Sequence, residues 1–141
     1  MEKRITFINI WSDDDIYELK IEVCDGNSTF CNNVYIDHSY LRKIISDLSK
    51  LSNNKKYQIN IGTFNPQHAG GAFQATLNIQ SPLTMYIATH QQSDYETLFT
   101  KEIASEAKIY LISKPEYIQS FLAELKLTQF NINKRATLQC I

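Results

Sequence analysis

The succession of apolar spacings along the chain constrains its fold most. Period-two stretches come first, a helical stretch follows, and then the same succession repeats. Tyr17, Leu19, Ile21 and Val23 alternate strictly with Glu18, Lys20 and Glu22, which describes a strand with one buried and one wet face. Ile5, Phe7, Ile8 and Ile10 mark an earlier strand, which ends at the acidic turn Trp11-Ser12-Asp13-Asp14-Asp15. Asp25-Gly26 is a tight-turn signal, and about Ser28 to Ile36 forms a third strand with Phe30, Val34 and Ile36 on one face. These three strands read as an antiparallel meander.

The first helix follows, with Asp37 as its expected N-cap. Its stripe is Leu41, Ile44, Ile45, Leu48 and Leu51; Arg42, Lys43, Asp47 and Lys50 face water, and Ser52-Asn53-Asn54 ends it. Tyr57, Ile59 and Ile61 then predict a strand. So do Phe73, Ala75, Leu77 and Ile79, and, after the Ser81-Pro82 break, Leu83, Met85 and Ile87. Asn65-Pro66-Gln67-His68-Ala69-Gly70-Gly71 reads as a loop, with unusual backbone angles at the two glycines. His90-Gln91-Gln92-Ser93-Asp94 reads as a polar loop, and residues 95–112 as two strands joined by a turn. Ser113-Lys114-Pro115-Glu116 has the form of a capping box with proline in the first turn. Ile118, Phe121, Leu122 and Leu125 then supply the stripe of a second helix. The expected fold is α+β: a mainly antiparallel sheet of about seven or eight strands with two amphipathic α-helices. It forms one domain over residues 1–141, and the tail 128–141 either packs back or frays.

Composition narrows the class. A net charge of −1 gives no sign of general nucleic-acid affinity, and no apolar run is long enough for a membrane helix. Met1-Glu2-Lys3-Arg4 is not followed by a signal-peptide core, so a cytoplasmic protein is expected. Charge is uneven: residues 1–48 hold nine acids against five bases, which allows either an ordinary mixed surface or an acidic face for a basic partner. Cys24 and Cys31 flank the Asp25-Gly26 turn and could face each other across a hairpin; reduced thiols are the simpler reading, and Cys140 is not in a prenylation position.

No catalytic constellation is legible. His38, His68 and His90 are not paired at ligand spacings, so no metal or cofactor is expected. His68, in the glycine-containing loop, is the best candidate for a functional histidine, but a general base needs a positioned partner. Gly70-Gly71 leads into a strand and lacks the pattern of a phosphate or dinucleotide loop. Asp13-Asp14-Asp15 lacks the spacing of a calcium loop. The alternatives are a solvated tip and an acidic recognition surface shared with Glu18, Glu22 and Asp25; Glu18 and Glu22 lie on one strand face with Lys20 between them. The candidate partner-binding set is Trp11, Asp13, Asp14, Asp15, Tyr17, Glu18 and Glu22.

Four segments carry a resemblance: ITFINIWSDDDIYELKIEV, VYIDHSYLRKIISDLSKL, GGAFQATLNI and AKIYLISKPEYIQSFLAELKL. In element order and apolar spacing the chain resembles WapI-type bacterial immunity proteins of polymorphic, contact-dependent toxin systems. The resemblance implies a non-enzymatic cytoplasmic protein that binds a cognate toxin domain and occludes its active site. Two other readings stay open: a small enzyme or ligand-binding domain using the 65–71 loop with His68, and an adaptor that acts through an edge strand.

Overall fold

The computed structural model describes residues 2–51, 56–64 and 70–141. The fold is α+β and antiparallel, with ten strands among the described residues where about seven or eight were expected. Strands β1 (Arg4–Ser12), β2 (Ile16–Cys24) and β3 (Thr29–Asp37) form the expected meander. Helix α1 (His38–Ser49) follows. Strands β4 (Lys56–Ile61), β5 (Ala72–Ser81), β6 (Thr84–Gln92), β7 (Glu96–Leu98), β8 (Lys101–Ile103) and β9 (Glu106–Ser113) come next. A single 3-10 turn (Pro115–Tyr117), helix α2 (Ile118–Thr128) and β10 (Arg135–Gln139) complete the chain. Two four-stranded sheets result, ordered β10-β1-β2-β3 and β4-β5-β6-β9, with β7 and β8 as a separate hairpin.

Both sheets turn one face to a common core. Its apolar cluster takes Phe7, Leu19, Ile21 and Val34 from the first sheet and Ile59, Phe73, Leu77, Ile87 and Leu111 from the second. The helices add the stripes expected of them, Leu41, Ile44, Ile45 and Leu48 from α1 and Ile118, Phe121, Leu122 and Leu125 from α2. Phe7 sits at the junction, edge-on to Phe73 (5.6 Å, 89°) and to Phe121 (5.6 Å, 86°), so one ring joins both sheets to α2. Burying each such ring contributes ~1.5–3 kcal/mol.

Two hairpins of the meander close by one device. Asp13 Oδ1 accepts the backbone N–H groups of Asp15 (2.8 Å) and Ile16 (2.9 Å). Asp25 Oδ1 accepts those of Asn27 (2.9 Å) and Ser28 (2.7 Å), with Gly26 at a φ of 94°. These donors favour the ionised carboxylates and hold both below the usual aspartate range.

Several expectations are corrected. Asp37 holds the expected N-cap position but makes no side-chain cap; the first N–H of α1, at His38, instead donates to the carbonyl of Asp15 in the β1–β2 turn (3.0 Å). Ser113 belongs to β9, not to a capping box. The inward phase of Ile109 and Leu111 carries it into the interior, where its hydroxyl donates to the Gln139 carbonyl (2.6 Å). His90, Gln91 and Gln92 are the end of β6, not a loop. Gln91 is buried because its amide donates to the carbonyls of Ile21 (3.2 Å) and Phe30 (3.3 Å) and to Asn32 Oδ1 (2.9 Å). Residues 95–112 hold three strands rather than two, because Thr97 and Leu98 pair with Glu102 and Lys101 as a hairpin of their own.

The tail after α2 packs back as an edge strand on β1, burying Ala136 and Leu138. Cys24 and Cys31 are not opposite each other: Cys24 pairs with Thr29 and Cys31 with Glu22, and no disulfide joins any of the three cysteines. Neither Gly70 nor Gly71 has a positive φ; Gly71 is required because the Asn33 carbonyl lies where its Cβ would stand. Residues 52–54 and 65–69, with His68, lie outside the described residues.

Candidate functional site

The structure divides the seven residues singled out in the sequence. Trp11 is 46% exposed, and Asp13, Asp14 and Asp15 are exposed at the β1–β2 turn. Glu18 is half-buried and accepts a hydrogen bond from Asn33 Nδ2 (3.3 Å). Tyr17 is only 4% exposed: its ring stacks on His38 (4.0 Å between centroids) and its hydroxyl donates to the Gln129 carbonyl (3.2 Å). Glu22 is also buried, held by Arg4 (3.2 Å) and Lys20 (3.6 Å) on the outer face of the first sheet. Neither Tyr17 nor Glu22 is presented to a partner. Asp13 is committed to its turn, which leaves Trp11, Asp14, Asp15 and Glu18.

A β-bulge decides where Trp11 points. Through Asn9 the register of β1 on β2 is regular; it then shifts by one residue, so that Trp11 lies opposite Glu18. Trp11 thereby joins the outer face, and Glu18 has Tyr35 of β3, itself 51% exposed, on its other side. An aromatic–carboxylate–aromatic row crosses three strands at the end of the molecule that carries the acidic turn.

The same bulge anchors the loop after α2. Asn9 is buried, and its Nδ2 donates to the Thr128 carbonyl (2.7 Å). Its backbone N–H donates to Lys134 O (3.3 Å), and its carbonyl accepts from the N–H of Asn133 (2.6 Å). Asn133 takes a left-handed φ of 67° there. The loop between these anchors presents Phe130 (83% exposed) and Ile132 at this end of the molecule. Sequence reading missed Tyr35, Phe130 and Ile132. The outward phase of Tyr35 was available in the β3 alternation, whereas Phe130 reaches this end only through the tertiary bonds of Asn9 and Tyr17.

Elsewhere the chemistry is sparse. His90 Nε2 lies 3.3 Å from Glu106 Oε1 on the outer face of the second sheet, and the Phe64 ring stacks on the imidazole (4.1 Å). Gln92 Nε2 donates to the other carboxylate oxygen (3.1 Å), and these contacts hold Glu106 below its usual range. Among the described residues no serine, threonine or cysteine hydroxyl or thiol hydrogen-bonds that imidazole. A groove of about 580 Å³ between α2 and β10 is lined by Glu2, Tyr117, Ser120, Glu124, Thr137 and Gln139, without histidine or cysteine. Among the described residues no group of three His, Cys, Asp or Glu could hold a metal ion, and no helix is long and apolar enough to cross a membrane.

Comparison with known proteins finds no matching family model, no matching curated protein and no matching solved structure, so the functional reading stands on the geometry of this chain.

Proposed function

We propose that this protein is a cytoplasmic, non-enzymatic inhibitor of the immunity type. It binds a cognate toxin domain with the end of the molecule built by the β1–β2 turn, and so covers the toxin's active site. The observation that carries this reading is the row Trp11–Glu18–Tyr35 beside the exposed Asp14 and Asp15. Large aromatics with freely presented edges, bordered by charge, match the anchor-and-rim arrangement of protein interfaces. Acids of one sign at the rim accelerate encounter with a basic partner and orient it more than they add affinity. The turn is suited to this use because it is rigid: Asp13 fixes its backbone, and the Asp15 carbonyl is tied to the start of α1.

The test is co-expression and co-purification with the products of neighbouring genes, followed by association kinetics with whichever toxin domain is retained. Double charge reversal, Asp14→Lys with Asp15→Lys, is expected to slow association at low salt by about tenfold or more while leaving the fold intact. An unchanged on-rate at low ionic strength would remove this surface from consideration.

A further inference from the structure

Four strands border the two sheets, and at three of those borders a helix or loop residue lies against the strand. On β10 the Thr137 N–H donates to Glu124 Oε1 of α2 (3.0 Å). On β4 the Asn60 N–H donates to the Tyr40 hydroxyl of α1 (3.2 Å). On β3 the Asn33 carbonyl lies against Gly71, too close for any side chain there. The fourth border, β9, pairs with β6 on one side and, among the described residues, has no strand on the other.

Its contact at that border is the Ile141 N–H, which donates to the Ile112 carbonyl (2.8 Å). Because that carbonyl points away from β6, and the β6–β9 register runs without a shift, the backbone groups of Tyr110, Lys108 and Glu106 point outward in the same phase. An eight-residue strand, free of proline, with Tyr110 69% exposed beside it, is a pairing template that proteins ordinarily blunt.

We propose that this edge pairs antiparallel with the same edge of a second copy of the chain, centred on Ala107, so that two four-stranded sheets become one of eight. Charge selects both occupant and register. Ile141 occupies the Ile112 end, so pairing falls on the start of the strand, Glu106–Lys108. Centring on Lys108 would set the two lysines opposite each other, a like-charge pair that destabilises a ladder. Centring on Ala107 sets Glu106 of each copy opposite Lys108 of the other, giving two opposite-charge pairs across the seam. The interface is then isologous and closes with two-fold symmetry. The lysine that would guard a lone edge thus becomes the residue that sets the pairing.

The experiment is light-scattering mass on the full chain across a concentration series. A mass rising to twice the monomer is expected. Lys108→Glu alone and Glu106→Lys alone should each leave monomers, and the combined swap E106K/K108E should restore the dimer, with far-UV circular dichroism as the check on folding. Amide exchange on the unaltered chain gives a second readout: the N–H groups of Glu106 and Lys108 should be protected at high concentration and exposed on dilution. A chain that stays monomeric at every concentration overturns the proposal. So do a dimer that ignores both single reversals, a swap that fails to restore a dimer lost in each single variant, and exchange at Glu106 and Lys108 that does not depend on concentration. None of these measurements needs a toxin, so the outcome is separate from that of the inhibitor reading.

Discussion

The β1–β2 and β2–β3 turns are built alike and differ in what they display. In each, an aspartate accepts two backbone N–H groups and lies below its usual pKa range for that reason. At the second turn the following residues are Gly26 and Asn27, with glycine in the left-handed region the bend requires. At the first they are Asp14 and Asp15, both exposed, one of them tied through its carbonyl to α1. The shared part is the structural device, so the functional candidates are what remains after it is subtracted. That subtraction moves Asp13 from recognition to architecture and leaves Asp14, Asp15 and the neighbouring aromatic row.

The sharpest attempt to break this comparison is truncation of the aromatic row. Trp11→Ala should weaken capture of the toxin domain by about 2 kcal/mol, roughly thirtyfold in Kd by titration calorimetry, if the side chain is an anchor. A loss of stability with unchanged affinity would make Trp11 a packing residue instead.

Next come the two turn aspartates. Asp13→Ala and Asp25→Ala should each lower the melting temperature by on the order of a few degrees, because each removes the acceptor of two backbone donors. Similar shifts would establish the two turns as one device. A silent Asp13→Ala would return that carboxylate to the recognition set.

Acid titration sharpens the same point. Both folded pKa values are depressed, so the stabilisation is fully present above the ordinary aspartate range and is lost as pH falls through the folded values. Melting temperature should therefore decline below about pH 4, and the Asp25→Ala variant should decline less steeply over that interval. An identical slope would place the acid sensitivity elsewhere.

The smallest effect is expected at Asp14→Ala and Asp15→Ala. Each should change stability by less than about 0.5 kcal/mol, as exposed surface substitutions do. A larger loss would mean that these side chains also support the turn.

Much of the architecture was legible from spacing. Tyr17 to Val23 gave the β2 faces, and the α1 and α2 stripes buried as read. Two failures share one cause, which is that polar residues entered the interior where a distant partner was waiting. Gln91 and Ser113 read as loop and cap because each is polar, yet both are buried on carbonyls far away in sequence. Trp11 and Tyr17 were grouped as one surface, but the bulge after Asn9 and the His38 ring separate them, and neither leaves a mark in local periodicity. Edge-strand β10 was missed because Ala136 and Leu138 are too few to signal a strand without β1 beside them.

The chain by itself determined which faces of its strands and helices avoid water, because alternation and helical spacing are local properties of side-chain direction. It also determined the two aspartate turns, whose acceptor and donors lie within three residues of each other. Only the tertiary structure decided which acidic and aromatic side chains remain free, and which sheet border stays open. Both depend on register and on neighbours from remote segments: the shift after Asn9, the helix residues that lie against β4 and β10, and the loop glycine that lies against β3.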